Sequence, residues 1–254
     1  MIYIAAHKNF DEPKIKGYAS IQVGAKGRDS LGYQRDDEGE NISIKNPNYC
    51  ELTGLYWIWK NCNDEYKGLV HYRRYFGKSN LSSSKNSIYS YEEMIKKLDK
   101  ADIVLPYNEY FLQDAKDEIL ISCCTDEIFN QLRDSVYKLY PDYIQDFDEF
   151  FSQNKCTLFN MMFCKKELFD DYCEWLFSIL FELEKHVDLE LLNDYQKRLY
   201  GFLSERLLNV WVRHNKLVIE NLPVINIEMS LDKKVKLLRR RFTNRIRWQL
   251  RKKI

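Results

Sequence analysis

Residues 41–76 read NISIKNPNYCELTGLYWIWKNCNDEYKGLVHYRRYF, an aromatic-rich segment followed by an apolar run that ends on His71-Tyr72-Arg73-Arg74-Tyr75. Pro47 after Asn46 marks a helix start, because proline fits the first turn, where its missing N–H costs nothing. Leu52, Leu55, Tyr56 and Trp59 then recur at helical spacing on one apolar face, which predicts a helix over 47–61. Asn61 to Glu65 is a polar break, and 66–72 reads as a buried strand. Adjacent arginines at the C-terminal end of a strand stand where open α/β sheets bind ligands. Each guanidinium offers a planar fork of donors that suits a phosphate group. The competing reading of Arg73 and Arg74 is a pair of structural salt bridges to an acidic body.

Outward from that segment, strands and helices alternate. Ile2 to Ala6 reads as a buried first strand, and Asp102 to Pro106, Leu158 to Cys164 and Lys216 to Ile227 as later ones. Ser90 and Glu93 form a capping-box pattern that opens a helix running to Lys100. Further helices are expected over 125–139, 142–152, 166–185 and 194–214. Asp11 to Glu40 is rich in glycine and charge, so it reads mostly as loop, without the G-x-G-x-x-G spacing of a dinucleotide fingerprint. Gly77 to Ser90 reads as a mobile surface loop. This alternation indicates an α/β fold.

Composition bounds the function. The chain has 254 residues, long enough for a large core, and 15% are aromatic. Its seven cysteines are scattered and form no C-x-x-C pair. With no targeting or spanning segment in view, they read as reduced thiols of a cytoplasmic protein. Charge is unevenly placed. Residues 232–254 hold 11 basic residues and one acidic, leaving 28 basic and 37 acidic in the rest, net −9. Two parts of the molecule therefore face different partners.

The motifs ENIS, N-x-x-YCELTGLYWIWKN and YKGLVHYRRYF, with FNMMF, YCEWLF and GFLSERLLNVW further on, resemble the DUF4422 family of bacterial capsule and exopolysaccharide biosynthesis proteins. The resemblance runs from IYIAAHK to about Glu228. It implies a GT-A-like glycosyltransferase fold with a mostly helical acceptor half, here over 1–231, followed by a basic C-terminal helix over 232–254. The implied activity is transfer of a hexosyl group, in some members galactofuranose, from a UDP-sugar to a lipid-linked oligosaccharide.

Within that frame the chain lacks an Asp-x-Asp metal motif after its central strand, so Arg73 and Arg74 are expected to neutralise the departing diphosphate. No cofactor is expected. Mn²⁺ or Mg²⁺ stays open through the Asp36-Asp37 turn or His71. Donor contacts are assigned to His7 after the first strand, Asp37 and Asn41 in the family motif, Glu51 and Lys60 on the aromatic helix, and His71. Trp57 is assigned to stacking on a base or sugar ring, against core packing. For the general base, the late helix of such a fold points to Glu205, beside Arg206, with Asp126 as the alternative.

Val235, Leu238, Phe242, Ile246 and Leu250 recur at spacings of three and four within the basic tail. That pattern is expected to lie in the plane of an anionic inner-leaflet surface, placing the enzyme peripherally on the cytoplasmic face of the plasma membrane. The alternative function is a noncatalytic nucleic-acid-binding or assembly protein that uses the tail. It accounts for only the last 23 residues, and nucleic acid is not expected as a partner.

Overall fold

The computed structural model describes residues 1–251. In chain order the first elements are β1 (Ile2–Ala6), β2 (Tyr18–Gln22), β3 (Gln34–Arg35), α1 (Asn46–Tyr49), α2 (Leu52–Asn61), β4 (Tyr66–His71) and β5 (Arg74–Phe76). Then come α3 (Tyr91–Lys97), β6 (Ile103–Pro106), β7 (Glu109–Tyr110), α4 (Ala115–Ser122), α5 (Asp126–Leu139) and α6 (Ile144–Phe151). The rest is β8 (Lys155–Cys156), β9 (Met162–Lys165), α7 (Lys166–Glu184), α8 (Leu199–His214), β10 (Ile219–Leu222), β11 (Val224–Asn226) and α9 (Leu231–Arg251).

The main sheet has the order β10-β6-β9-β4-β1-β2-β3, with β5 folding back from β4 and β11 pairing with β5. β4, β1, β2 and β3 are parallel neighbours, as are β10 and β6, while β9 runs antiparallel to both β4 and β6. All five residues of β1 are buried, as a parallel strand covered on both faces requires. Tyr3 and Ala5 join the larger core with α2, α7 and α8, whereas Ile2, Ile4 and Ala6 join a smaller one with β5, α3 and β11. At Gly68 a Cβ would lie 2.8 Å from the Met162 carbonyl oxygen, so only glycine lets β9 approach β4 this closely.

The α/β architecture agrees with the sequence reading, and the Ser90–Glu93 capping box forms. Several boundaries differ. The expected helix over 47–61 breaks at Cys50, which has φ 53°, and the Asn46 side chain donates to the Cys50 carbonyl at 2.7 Å. The stretch expected to be loop supplies β2, which pairs in parallel with the preceding strand β1, Ile2 opposite Tyr18, after a connection from 7 to 17 that holds no other strand or helix. The strand expected from Leu158 starts only at Met162, because Phe159 and Asn160 take left-handed conformations with φ 81° and 51°. Short elements α4, β7 and β8 were not anticipated. The expected mobile loop of 77–90 is held down, with Lys234 of α9 donating to Ser82 O and Ser83 Oγ at 2.5 Å each.

The basic tail folds as α9 from Leu231, and it does not stand apart from the body. Arg241 pairs with Glu109, and Asn244 donates to the Tyr110 carbonyl at 2.9 Å. Residues 252–254 of the expected tail lie outside the described residues. No described helix is long and apolar enough to cross a membrane.

Candidate active site

Parallel strands carry their C-terminal ends to one edge of a sheet, and here β1 and β4 deliver His7 and His71 there side by side. Tyr72 donates its amide to Ala5 O at 3.0 Å across the two strands. From β1 the chain moves one way to β2, while β4 lies on the other side, so this is the point where strand order reverses. A cleft of about 790 Å³ opens at it, floored by the strand ends and walled by the α1–α2 break, the loop before β9 and the start of α8.

The cleft is cationic. Arg28, Arg73, Arg74, Arg198 and Arg206 line it against Glu51, Glu118 and Glu205. Arg206 is nearly fully buried and is spent on Glu118 and Glu205, at 2.5 and 2.7 Å. Arg73 has only a long contact to Glu228, at 3.7 Å. Among the described residues Arg28, Arg74 and Arg198 pair with no carboxylate, and Arg74 instead lies 4.7 Å over the Phe159 ring. Burial and the adjacent Arg73 charge hold the Arg74 guanidinium below its ordinary value. An anion placed among these groups would relieve that repulsion. Tyr72 braces one side, its ring meeting His7 edge-on at 5.2 Å and the Arg73 guanidinium at 5.5 Å.

Opposite stands Glu205, nearly two turns inside α8. Its Oε1 accepts the Phe159 N–H at 2.8 Å, and its Oε2 accepts from Arg206. Burial outweighs the Arg206 charge and pushes the carboxyl up to about 7. Such a group is poised to exchange a proton near neutral pH. His71 Nε2 meets the Phe159 carbonyl at 2.5 Å, which fixes the proton on that nitrogen, and burial lowers its pKa, so the ring stays neutral. Burial and the neighbouring cations lower His7 as well. Asn160, buried behind the wall, braces it by donating to Glu51 Oε1 at 2.8 Å and to Gly201 O at 3.0 Å.

Of the residues singled out in the sequence, His7, Glu51, His71, Arg73, Arg74 and Glu205 line this one cleft. Asp37, Asn41, Trp57 and Lys60 do not, and each has another occupation. Asp37 forms a two-pronged pair with Arg35 at 2.9 Å, which lowers its pKa. Asn41 donates to the carbonyls of Asp37 and Gly39, closing its own turn. Trp57 packs against Tyr3 with its indole N–H on Glu38 O at 2.7 Å, so stacking on a ligand is replaced by core packing. Lys60 lies over the Trp59 ring and pairs with Glu40. Asp126 is exposed in the first turn of α5, outside the cleft.

The Asp36-Asp37 turn is also otherwise engaged. Asp36 is fully buried and accepts from Gly24 N, Ala25 N, Ser43 Oγ and Thr53 Oγ1. Those four donors make it a loop anchor. Sequence reasoning missed Arg28, Arg198, Phe159 and Asn160. The first two lie in segments without periodicity; the signal for the last two was the FN pair opening the FNMMF motif, read as strand.

A family model described as a domain of unknown function, DUF4422, matches residues 1–216. The solved apo structure of WbbM, a bifunctional glycosyltransferase, superposes with a TM-score of 0.80 at 27% identity. That match covers 90% of this chain and 45% of the WbbM chain, so the protein spans about half the length of its solved relative. No curated protein sequence matches the chain.

Proposed function

This chain belongs to the DUF4422 family, and we propose that it is a glycosyltransferase that moves a sugar from a UDP-sugar to an acceptor hydroxyl. One observation carries the reading: arginines without carboxylate partners face Glu205 across a cleft at the strand-order reversal. Similarity to WbbM, a bifunctional glycosyltransferase, supports the same class.

In the reaction, Arg73 and Arg74 hold the donor diphosphate, with Arg28 and Arg198 completing the positive field. Glu205 as carboxylate takes the proton of the acceptor hydroxyl as its oxygen bonds to the anomeric carbon. The bond from that carbon to the diphosphate breaks, and UDP leaves with the electron pair. Arg206 and the Phe159 N–H orient Glu205 for the task. His7 and Glu51 contact the donor sugar or ribose. Diphosphate neutralisation rests on arginine here rather than on a divalent cation.

The finer reading is transfer of a hexosyl group such as galactofuranose onto a lipid-linked oligosaccharide, during capsule or exopolysaccharide synthesis at the inner face of the plasma membrane. The exposed apolar flank of α9, with Phe242 and Leu250, supports a surface-bound enzyme. The test is UDP release from a panel of UDP-sugars, UDP-galactofuranose included, with and without a lipid-linked acceptor. No release from any donor would end the transferase reading. Loss of turnover in EDTA, restored by Mn²⁺ or Mg²⁺, would hand the role of the arginines to a metal.

A further inference from the structure

Beyond the Arg74–Phe159 wall of the cleft lies a second cavity of about 440 Å³, covered by α9. Arg74, Glu118, Leu158 and Phe159 line both spaces, so the two adjoin across a single layer of side chains. Its outer walls are apolar, with Val224, Met229, Leu237 and Leu238 among them. Its charges do not balance. Glu109 is taken by Arg241 and Glu118 by Arg206, while Arg74, Lys234 and Arg240 have no carboxylate partner among the described residues.

Lys234 is the sharpest of these. It is 3% exposed, and its ammonium donates only to Ser82 O and Ser83 Oγ. An ammonium has three donors, so one stays open, and the charge is buried without a counter-charge. A space that couples an apolar wall to a buried cation fits an amphiphile with an anionic head. Alongside it, Leu231, Phe242, Ile246 and Leu250 of α9 are exposed, giving an apolar chain a path toward the cavity from outside.

We propose that this second cavity is the acceptor subsite and takes an isoprenyl or alkyl phosphate, its phosphate at Lys234 and its chain along Leu237 and Leu238. The inference rests on the transferase reading of the neighbouring cleft and names the chemical class of its acceptor. The phosphate then lies next to Arg74, and the sugar end of the acceptor extends past Phe159 toward Glu205.

The test uses the full chain with farnesyl phosphate as probe, followed by calorimetry, with inorganic phosphate and farnesol as separate arms. Wild-type protein should bind farnesyl phosphate more tightly than either. Lys234→Met removes the charge and Leu238→Trp fills the cavity; each should weaken the probe by about tenfold or more, since a charge-assisted hydrogen bond and a buried chain are each worth that much. UDP affinity should be unchanged in both variants. If Lys234→Met unfolds because the Ser82–Ser83 tether is lost, Leu238→Trp decides alone. Farnesyl phosphate affinity no greater than that for inorganic phosphate, or unchanged in the variants, overturns the subsite. Binding that resists both variants but is abolished by Phe242→Asp places the lipid on the outer flank of α9 and overturns it equally. Failure of the transferase reading shows separately, as absence of UDP release from wild-type protein.

Discussion

His71 and Glu205 are tied to the same residue: the Phe159 carbonyl accepts from His71 Nε2 at 2.5 Å, and the Phe159 N–H donates to Glu205 Oε1 at 2.8 Å. Phe159 sits at φ 81°, a region that aromatic residues rarely occupy. Backbone held in such a conformation marks functional sites, where surrounding contacts over-determine it. Here the contacts are the two side chains it positions and the Arg74 guanidinium over its ring.

Arg73→Ala and Arg74→Ala should each weaken UDP binding by about tenfold to a hundredfold, the value of a charge-assisted hydrogen bond of roughly 1.5–3 kcal/mol. Both side chains are only partly buried at the cleft wall, so cooperative unfolding should persist. Calorimetric titration with UDP measures the effect, and unchanged affinity in both variants would remove the arginines from the donor site.

Turnover should rise with pH through about 7, because Glu205 acts as carboxylate and its burial sets the pKa there. Glu205→Gln should lower kcat by about 10²–10⁴-fold, abolish that limb of the pH profile and leave UDP affinity in place. Asp126→Asn, exposed on α5, should change nothing. An unaltered pH limb in the Gln variant would move the base elsewhere.

Asn160 combines φ 51° with side-chain bonds to Glu51, Gly201 and Ser204. Alanine and glycine both lose those bonds, but only glycine adopts the left-handed conformation freely. Asn160→Ala should therefore be less stable than Asn160→Gly by about 1–2 kcal/mol, the reverse of their order in a helix. Urea unfolding of the two variants decides it; equal midpoints would mean that the backbone there relaxes.

Membrane docking is better probed by point changes than by truncating α9, since Arg241 and Asn244 fasten the helix to β7. Phe242→Asp and Ile246→Asp on the exposed flank should reduce sedimentation with anionic vesicles. Burying a Phe in the interface contributes roughly 1.5–3 kcal/mol, so the loss from Phe242→Asp should be about tenfold or greater. UDP binding should be untouched. Vesicle binding equal to wild type in both variants would rule the flank out as the anchor.

What the sequence discloses is what is locally encoded. Pro47 and the Ser90–Glu93 box announce helix starts because caps are made within one turn, and the 66–76 segment announces the ligand edge because parallel strands always deliver their C-termini to it. The remainder depends on partners outside the local segment. β2 exists by pairing with β1, and its own alternation is too weak to declare it. Phe159 and Asn160 are held in left-handed backbone by contacts from β4, the α1–α2 break and α8, with no glycine to mark them. In α9 the helical period is plain, but Leu238 of the expected lipid stripe turns inward. The face packed on the body carries Lys234, Arg241 and Asn244, polar groups whose burial follows from partners up to 152 residues away.

β9 runs against its neighbours, so its beginning, not its end, reaches the cleft. Its end therefore leaves at the opposite rim, where Lys166 N meets Glu65 O and the turn into β4 is exposed at Asn63. That rim is the place to splice in a reporter domain or an affinity handle: added mass there hangs behind the sheet, with the whole thickness of the strands between it and the reacting groups.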